Sequence, residues 1–227
     1  YSVFKHPAIT EGGESYWPQM RPLEKLLDIK LSSGNVDFEL IYQGNETAMQ
    51  GQVLKLEALH WFKAAAVLHT WTHYGGVDFA QKLQELSPRQ EARHSRFAYA
   101  ILAHTESFLV LVDGYVGLIS MGEAENTFFS LSDVYRPARV GIETNAQNRQ
   151  YFNTLVRRKI AGGYDWLNLM PINTSKDMGT RMADTEPDFR LGAIQVSDAS
   201  KYFLTEFLDE WLGFGMDHKR NDTLSAV

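Results

Sequence analysis

Phe97-Ala98-Tyr99-Ala100-Ile101-Leu102-Ala103-His104-Thr105-Glu106-Ser107-Phe108-Leu109-Val110-Leu111-Val112 decides the fold. Two β-rich apolar runs, Phe97 to Ala103 and Phe108 to Val112, flank the polar break His104 to Ser107, which predicts a hairpin. Upstream, Gly75-Gly76-Val77-Asp78-Phe79-Ala80 reads as a short buried strand after a glycine turn. Downstream, Glu123 to Tyr135 has helical spacing, with Ala124, Phe128, Leu131 and Tyr135 on one face and Pro137 as the stop. Arg139 to Glu143 is a short strand that ends in a carboxylate. A second helix begins near Asn145, tracks Phe152, Leu155 and Val156 inward, and stops at Gly162-Gly163. Trp166 to Ile172 and Ala193 to Val196 read as strands. Ser200 to Leu212 reads as a helix with Phe203, Phe207, Leu208 and Trp211 inward, and Asn221 to Val227 as the opening of a last helix. Antiparallel front strands followed by β-α alternation specify an α/β mixed sheet with flanking helices.

Composition sets the outer limits. A chain of 227 residues, 44% hydrophobic, can bury a sizeable core as one large domain or one domain plus an appended piece. It has no cysteine, which excludes a disulfide framework, a thiolate metal site and a thiol nucleophile. The longest apolar run, Phe108 to Ser120, is interrupted by Asp113, so no membrane span is expected. The net charge of -6 argues against a strongly basic nucleic-acid coat. The chain opens at Tyr1 rather than Met and carries no signal-peptide pattern, which reads as a piece of something longer. Residues 1–72 lack the rhythm of residues 73–227: Gly12-Gly13, Pro18, Pro22 and Ser32 to Asn35 punctuate them, with a brief helical stretch at Leu23 to Leu27 and another at Asp37 to Tyr42.

Three carboxylates stand out by context. Asp78 lies in an apolar strand after a double glycine, Glu143 ends another strand, and Asp222 opens the last helix. Taken singly, Asp78 also reads as a turn or cap residue, Glu143 as an edge carboxylate and Asp222 as a helix cap. Carboxylates gathered at the ends of adjacent strands would be costly without a cation, and hard divalent ions such as Mg²⁺ and Mn²⁺ prefer oxygen ligands. Asp113, before Gly114, reads as a turn residue rather than a ligand. No HExxH or Ser-His-Asp spacing competes.

Gly75-Gly76-Val77-Asp78-Phe79-Ala80, Val140-Gly141-Ile142-Glu143-Thr144-Asn145 and Asn221-Asp222-Thr223-Leu224-Ser225-Ala226, taken in order, resemble the nuclease domain of the large terminase subunit of tailed bacteriophages over residues 73–227. The resemblance implies a ribonuclease H-like fold and an endonuclease that cuts double-stranded concatemeric viral DNA during genome packaging. It implies two metal ions, Mg²⁺ or Mn²⁺, held by acidic residues, one activating a water and the other stabilising the leaving 3′ oxygen. Asp78 would bridge both ions, with Glu143 and Asp222 completing the catalytic set. The third motif departs from the family pattern: Asn221 stands where the first Asp of a pair is usual, and Ser225 where another Asp is common. Asp217, His218 and Asn221 are therefore candidate helpers, with a solvated polar loop as the other reading of Asp217 and His218. The resemblance further implies portal and small-subunit partners and a location in the cytoplasm of the infected bacterial host.

Arg89, Arg93, His94 and Arg96, together with Arg157, Arg158 and Lys159, are candidate phosphate contacts; solvated faces balancing nearby acids are the other reading. Glu14-Ser15-Tyr16-Trp17-Pro18-Gln19-Met20-Arg21 and Phe38 to Asn45 resemble segments late in the terminase ATPase region. No GxxxxGK phosphate loop occurs, so the ATPase motor is expected to lie outside this chain. An interaction module of the packaging machine with a degenerate acidic site is a rival reading, as is another ribonuclease H-like enzyme such as an integrase or resolvase.

Overall fold

The computed structural model describes residues 6–10, 12–33, 38–44, 54–67, 70–79, 96–144, 148–173, 175–214 and 221–227. Among these residues seven strands form one mixed sheet: β1 (His60–Phe62), β2 (Thr72–Asp78), β3 (Phe97–His104), β4 (Leu109–Gly117), β5 (Arg139–Glu143), β6 (Leu169–Ile172) and β7 (Ile194–Ser197). Their spatial order is β1-β7-β4-β3-β2-β5-β6. Among the described residues six α-helices accompany them: α1 (Leu23–Ser33), α2 (Met121–Tyr135), α3 (Arg149–Ala161), α4 (Met178–Arg190), α5 (Tyr202–Gly213) and α6 (Asp222–Ala226). The front trio β2-β3-β4 is antiparallel, while β5, β6 and β7 join it in parallel.

The hairpin occupies the middle of the sheet because both faces of β3 are apolar. Phe97, Tyr99, Ile101 and Ala103 point to one face and pack with Phe128 and Phe129 of α2 and Leu155 of α3. Ala98, Ala100 and Leu102 point to the other, against Phe203, Phe207 and Trp211 of α5 and Leu224 of α6. Small residues on β3 thus meet bulky rings on α5, which lets the helices approach the sheet closely. The helix α2 begins with a reciprocal cap: Glu123 N–H donates to Ser120 Oγ, and Ser120 N–H donates to Glu123 Oε2 at 2.9 Å. It ends where Arg136 turns left-handed ahead of Pro137.

Several expectations change. Gly75-Gly76 is no turn but the centre of β2. These glycines are demanded by close packing: a Cβ on Gly75 would lie 2.6 Å from the Tyr99 ring, and one on Gly76 would lie 1.9 Å from the Ala226 carbonyl oxygen. Asp113 also lies within a strand, at a register shift between β3 and β4; its carboxylate accepts from the Tyr135 hydroxyl and from Lys201 Nζ at 3.0 Å. The strand anticipated over Trp166 to Ile172 is confined to β6, an edge strand that contains Pro171. Two elements have no counterpart in the sequence reading: α4, and β1, which pairs in parallel with β7 and so places part of residues 1–72 in the same sheet. Asp37 to Tyr42 is described only over Phe38–Tyr42, as a single π-helical turn. Ala80 and residues 145–147, where the second helix is expected to begin, lie outside the described residues. Among the described residues, no helix is long and apolar enough to cross a membrane.

A methyl group at Gly76 would collide with backbone rather than with a movable side chain. Gly76→Ala is therefore expected to destabilise the fold by at least about 2 kcal/mol in urea denaturation. Gly122→Ala, on the exposed face of α2 with open space around it, should instead stabilise by about 0.5 kcal/mol. Equal effects at the two glycines would contradict this account of why β2 is glycine-rich.

Candidate functional site

The parallel pairing of β2 with β5 sets the site. Register places Gly76 opposite Gly141 and Val77 opposite Ile142, so Asp78 and Glu143 end neighbouring strands side by side. Neighbouring strands lie about 4.8 Å apart, and every second residue shares a face. Val77 and Ile142 enter the core under α2 and α3, which leaves Asp78 and Glu143 on the opposite face with α6. The helix α6 lies over β2 and β3, its Ala226 carbonyl against Gly76, and it brings Asp222 and Ser225 to the strand ends. Burial raises the Asp78 carboxyl from 3.8 to about 6; the Ser225 hydroxyl and the Arg181 guanidinium lower it, while the charges of Glu143 and Asp222 raise it further. The three carboxylates singled out in the sequence therefore share one electrostatic neighbourhood.

Two guanidiniums serve this neighbourhood. Arg96 is buried and donates to Asp222 Oδ2 at 3.1 Å, to Glu210 Oε1 at 2.7 Å and to Glu206. Burial works against its charge, but Glu206, Asp222 and Glu210 outweigh that cost and hold it fully protonated. Burial likewise raises Glu210, whose other oxygen accepts from Thr223 N–H at 2.7 Å and from the Thr223 hydroxyl. Arg96 and Glu210 together thus fix the first turn of α6, and Asp222 with it. The second guanidinium is Arg181 of α4: Nη1 lies 3.4 Å from Glu143 Oε2 and 3.2 Å from Ser225 Oγ, and Nη2 donates to the Ser225 carbonyl at 2.9 Å. Five carboxylates (Asp78, Glu143, Glu206, Glu210 and Asp222) face these two guanidiniums, an excess of three negative charges when all are ionised.

A cleft of about 610 Å³ opens along this face, floored by Gly76 and Gly141 and edged by Tyr74, Glu143, Arg181 and Ser225. Of the five carboxylates Glu143 alone lines it; the donor set beside it at the strand ends, carboxylate and hydroxyl oxygens with excess negative charge, suits a hard divalent cation. Among the described residues, however, no three His, Asp or Glu side chains stand grouped as they would around an ion; the arginines take Glu143 and Asp222 instead.

The remaining candidates fall elsewhere. Asp217, His218, Arg89, Arg93 and His94 lie outside the described residues. Asn221 precedes α6 as its cap residue, and its side chain makes no cap bond. Arg96, read from sequence as a phosphate contact, is enclosed by three carboxylates and turned inward. Arg157, Arg158 and Lys159 lie near the C-terminal end of α3, which covers the sheet face opposite Asp78. Arg158 is committed to α2, through Glu125 at 3.2 Å and the face of Phe129. Arg181 is absent from the candidates that the sequence offers. The one signal for its helix is the Asp177-x-x-Thr180 cap, in which Thr180 N–H donates to Asp177 Oδ1 at 3.0 Å.

No protein-family model matches the chain, and no curated protein matches its sequence. Among solved structures, the large terminase of a thermophilic bacteriophage matches 83% of this chain with a TM-score of 0.54 at 9% identity; the chain spans 43% of that protein, less than half its length. The human cytomegalovirus terminase nuclease domain matches 76% of this chain and 91% of its own length, with a TM-score of 0.50 and 9% identity. The Mn-soaked, inhibitor-bound form of that domain gives a TM-score of 0.50 and 10% identity over 76% of this chain and 92% of its own. At such identities the likeness is one of fold: this chain has the ribonuclease H-like α/β architecture of terminase nuclease domains.

Two measurements check the electrostatics. Because folding raises the Asp78 carboxyl from 3.8 to about 6, the folded state binds its proton more tightly, so this group's contribution favours folding below about pH 4 and is lost as pH rises through 6. Asp78→Asn should accordingly raise stability at pH 8 by up to about 3 kcal/mol, with the gain vanishing near pH 3.5. Arg96→Met should cost about 3–5 kcal/mol, because it strands three carboxylates around a buried gap. Urea denaturation of both variants across pH reads each effect.

Proposed function

We propose that this chain is the metal-dependent endonuclease domain of a phage large terminase, which cuts double-stranded DNA concatemers during genome packaging. The observation that carries the reading is the electrostatic coupling of Asp78 to Glu143 and Asp222, from three separate segments, at one end of a sheet whose fold is that of terminase nuclease domains. Their net negative charge, together with the raised Asp78 carboxyl, describes a site that demands a cation. Asp78, Glu143 and Asp222 would hold Mg²⁺ or Mn²⁺, two ions in the full reading, with Asp217, His218 and Asn221 as helpers. A divalent ion bound there lowers the pKa of water and offsets charge on a phosphodiester.

The chain's own residues prepare that chemistry. Arg96 and Glu210 clamp the first turn of α6, so Asp222 is presented without rotamer freedom. Ser225 donates to Asp78 and fixes its orientation. Arg89 and Arg93 are assigned to phosphates of the flanking duplex, Arg157 and Lys159 on the face opposite Asp78 are not, and Arg96 is reassigned from DNA contact to positioning Asp222. The part of residues 1–72 that precedes Leu54 is assigned to the end of the motor region, since Leu54 to Phe62 join the core and sheet, and the portal and small subunit to the partners. A second reading, a docking module with a degenerate site, draws on the ion pairs that already engage Glu143 and Asp222.

Plasmid nicking separates the two readings. Cutting is expected with Mn²⁺ or Mg²⁺, stopped by EDTA and reduced at least roughly 100-fold in Asp78→Asn and in Asp222→Asn. Undiminished cutting by both variants would overturn the site assignment. A wild-type chain inert with every divalent ion would favour the docking module.

A further inference from the structure

The two guanidiniums of the site differ in how they are held. Arg96 is buried and tied to three carboxylates, with its bonds to Asp222 and Glu210 at 3.1 and 2.7 Å. Arg181 is about a quarter exposed, lines the cleft, and meets its carboxylate at 3.4 Å. Through Nη1 it reaches Glu143 and Ser225, and Ser225 donates in turn to Asp78. One guanidinium therefore spans both strand-end carboxylates, one directly and one through a hydroxyl. The helix that carries it is anchored elsewhere. Met182 and Phe189 of α4 enter the core, and at its far end Arg190 bonds to Glu186 and to the Leu31 carbonyl of α1. With the backbone fixed, the long arginine stem is the part that can move.

We propose that Arg181 is a tethered counter-cation that occupies the Glu143 side of the site until a divalent cation displaces it, whereupon its fork turns to the substrate phosphate. The inference rests on the metal-dependent reading above. A divalent ion and a guanidinium cannot share Glu143 without strong repulsion, so binding of the ion and withdrawal of Arg181 are one exchange. The displaced group remains at the cleft, where its planar pair of donors matches two non-bridging phosphate oxygens. The exchange also explains why Glu143 is found paired with an arginine while the donor set suits a metal. Arg96 cannot play this part, because leaving its place would strand three acids at once.

The test is Mn²⁺ binding to the whole chain without DNA, by calorimetry and by the electron-spin signal of free Mn²⁺, on wild type, Arg181→Gln, Arg181→Lys and Asp78→Asn. Arg181→Gln is expected to bind Mn²⁺ about tenfold more tightly than wild type, and Arg181→Lys within about twofold of it. In nicking assays at saturating Mn²⁺, both Arg181 variants should raise KM for DNA, because the phosphate fork is gone. Loss of Mn²⁺ binding in Asp78→Asn with unchanged affinity in Arg181→Gln would overturn the exchange and leave the metal reading standing. Mn²⁺ binding that is indifferent to Asp78→Asn would overturn both. A circular-dichroism melt of each variant confirms folding, and a lysine variant that alone folds still decides through its KM.

Discussion

Much of this molecule depends on the contact between the backbone of Gly76 and the carbonyl of Ala226. A helix carbonyl can approach a strand this closely only where the strand carries no side chain, and a Cβ at Gly76 would fall 1.9 Å from that oxygen. Because α6 is seated there, Asp222 reaches the end of β2 and Ser225 reaches Asp78. Because Gly141 stands beside Gly76 in register, the cleft continues over β5 to Glu143. The pairing of two glycines thus sets both the height of the helix and the shape of the recess that leads to the acids.

Legibility of the fold follows the strength of local pattern. The hairpin from Phe97 to Val112 is plain because both faces of β3 are buried, leaving an unbroken apolar run bounded by polar residues. The helix α4 is hidden because its buried stripe is Met182, Glu186 and Phe189, with a carboxylate in the middle. Glu186 is tolerated there because Arg190, one turn on, bonds to it, and Pro187 further obscures the helical signal. Three-residue β1 carries no period to read; its existence is decided by the free edge of β7. Gly75-Gly76 reads as a turn because glycine most often serves turns, and only the tertiary neighbours Tyr99 and Ala226 reveal the other use.

The site divides along the same line. Asp78, Glu143 and Asp222 can be singled out because each terminates or opens an element, a local property. Arg96 and Arg181 cannot be assigned in this way, because an arginine's role is set by partners distant in the chain. Arg96 finds Asp222 across 126 positions, and Arg181 finds Ser225 across 44. Net charge misleads for a related reason. The acidity that argues against nucleic acid is partly concentrated at five carboxylates around two guanidiniums, where it calls for a counter-ion rather than repelling a ligand at large.

The proline of β6 has a bearing on assembly. In β5 the N–H groups of Val140 and Thr144 donate to the carbonyls of Asn168 and Ile172, so Met170 and Ile172 face β5 while Leu169 and Pro171 face outward. Pro171 therefore deletes an N–H on the free side of the sheet, where an incoming strand would seek a donor. The opposite edge, β1, is three residues long. Among the described residues, both edges of the sheet are thus poor templates for the addition of a further strand.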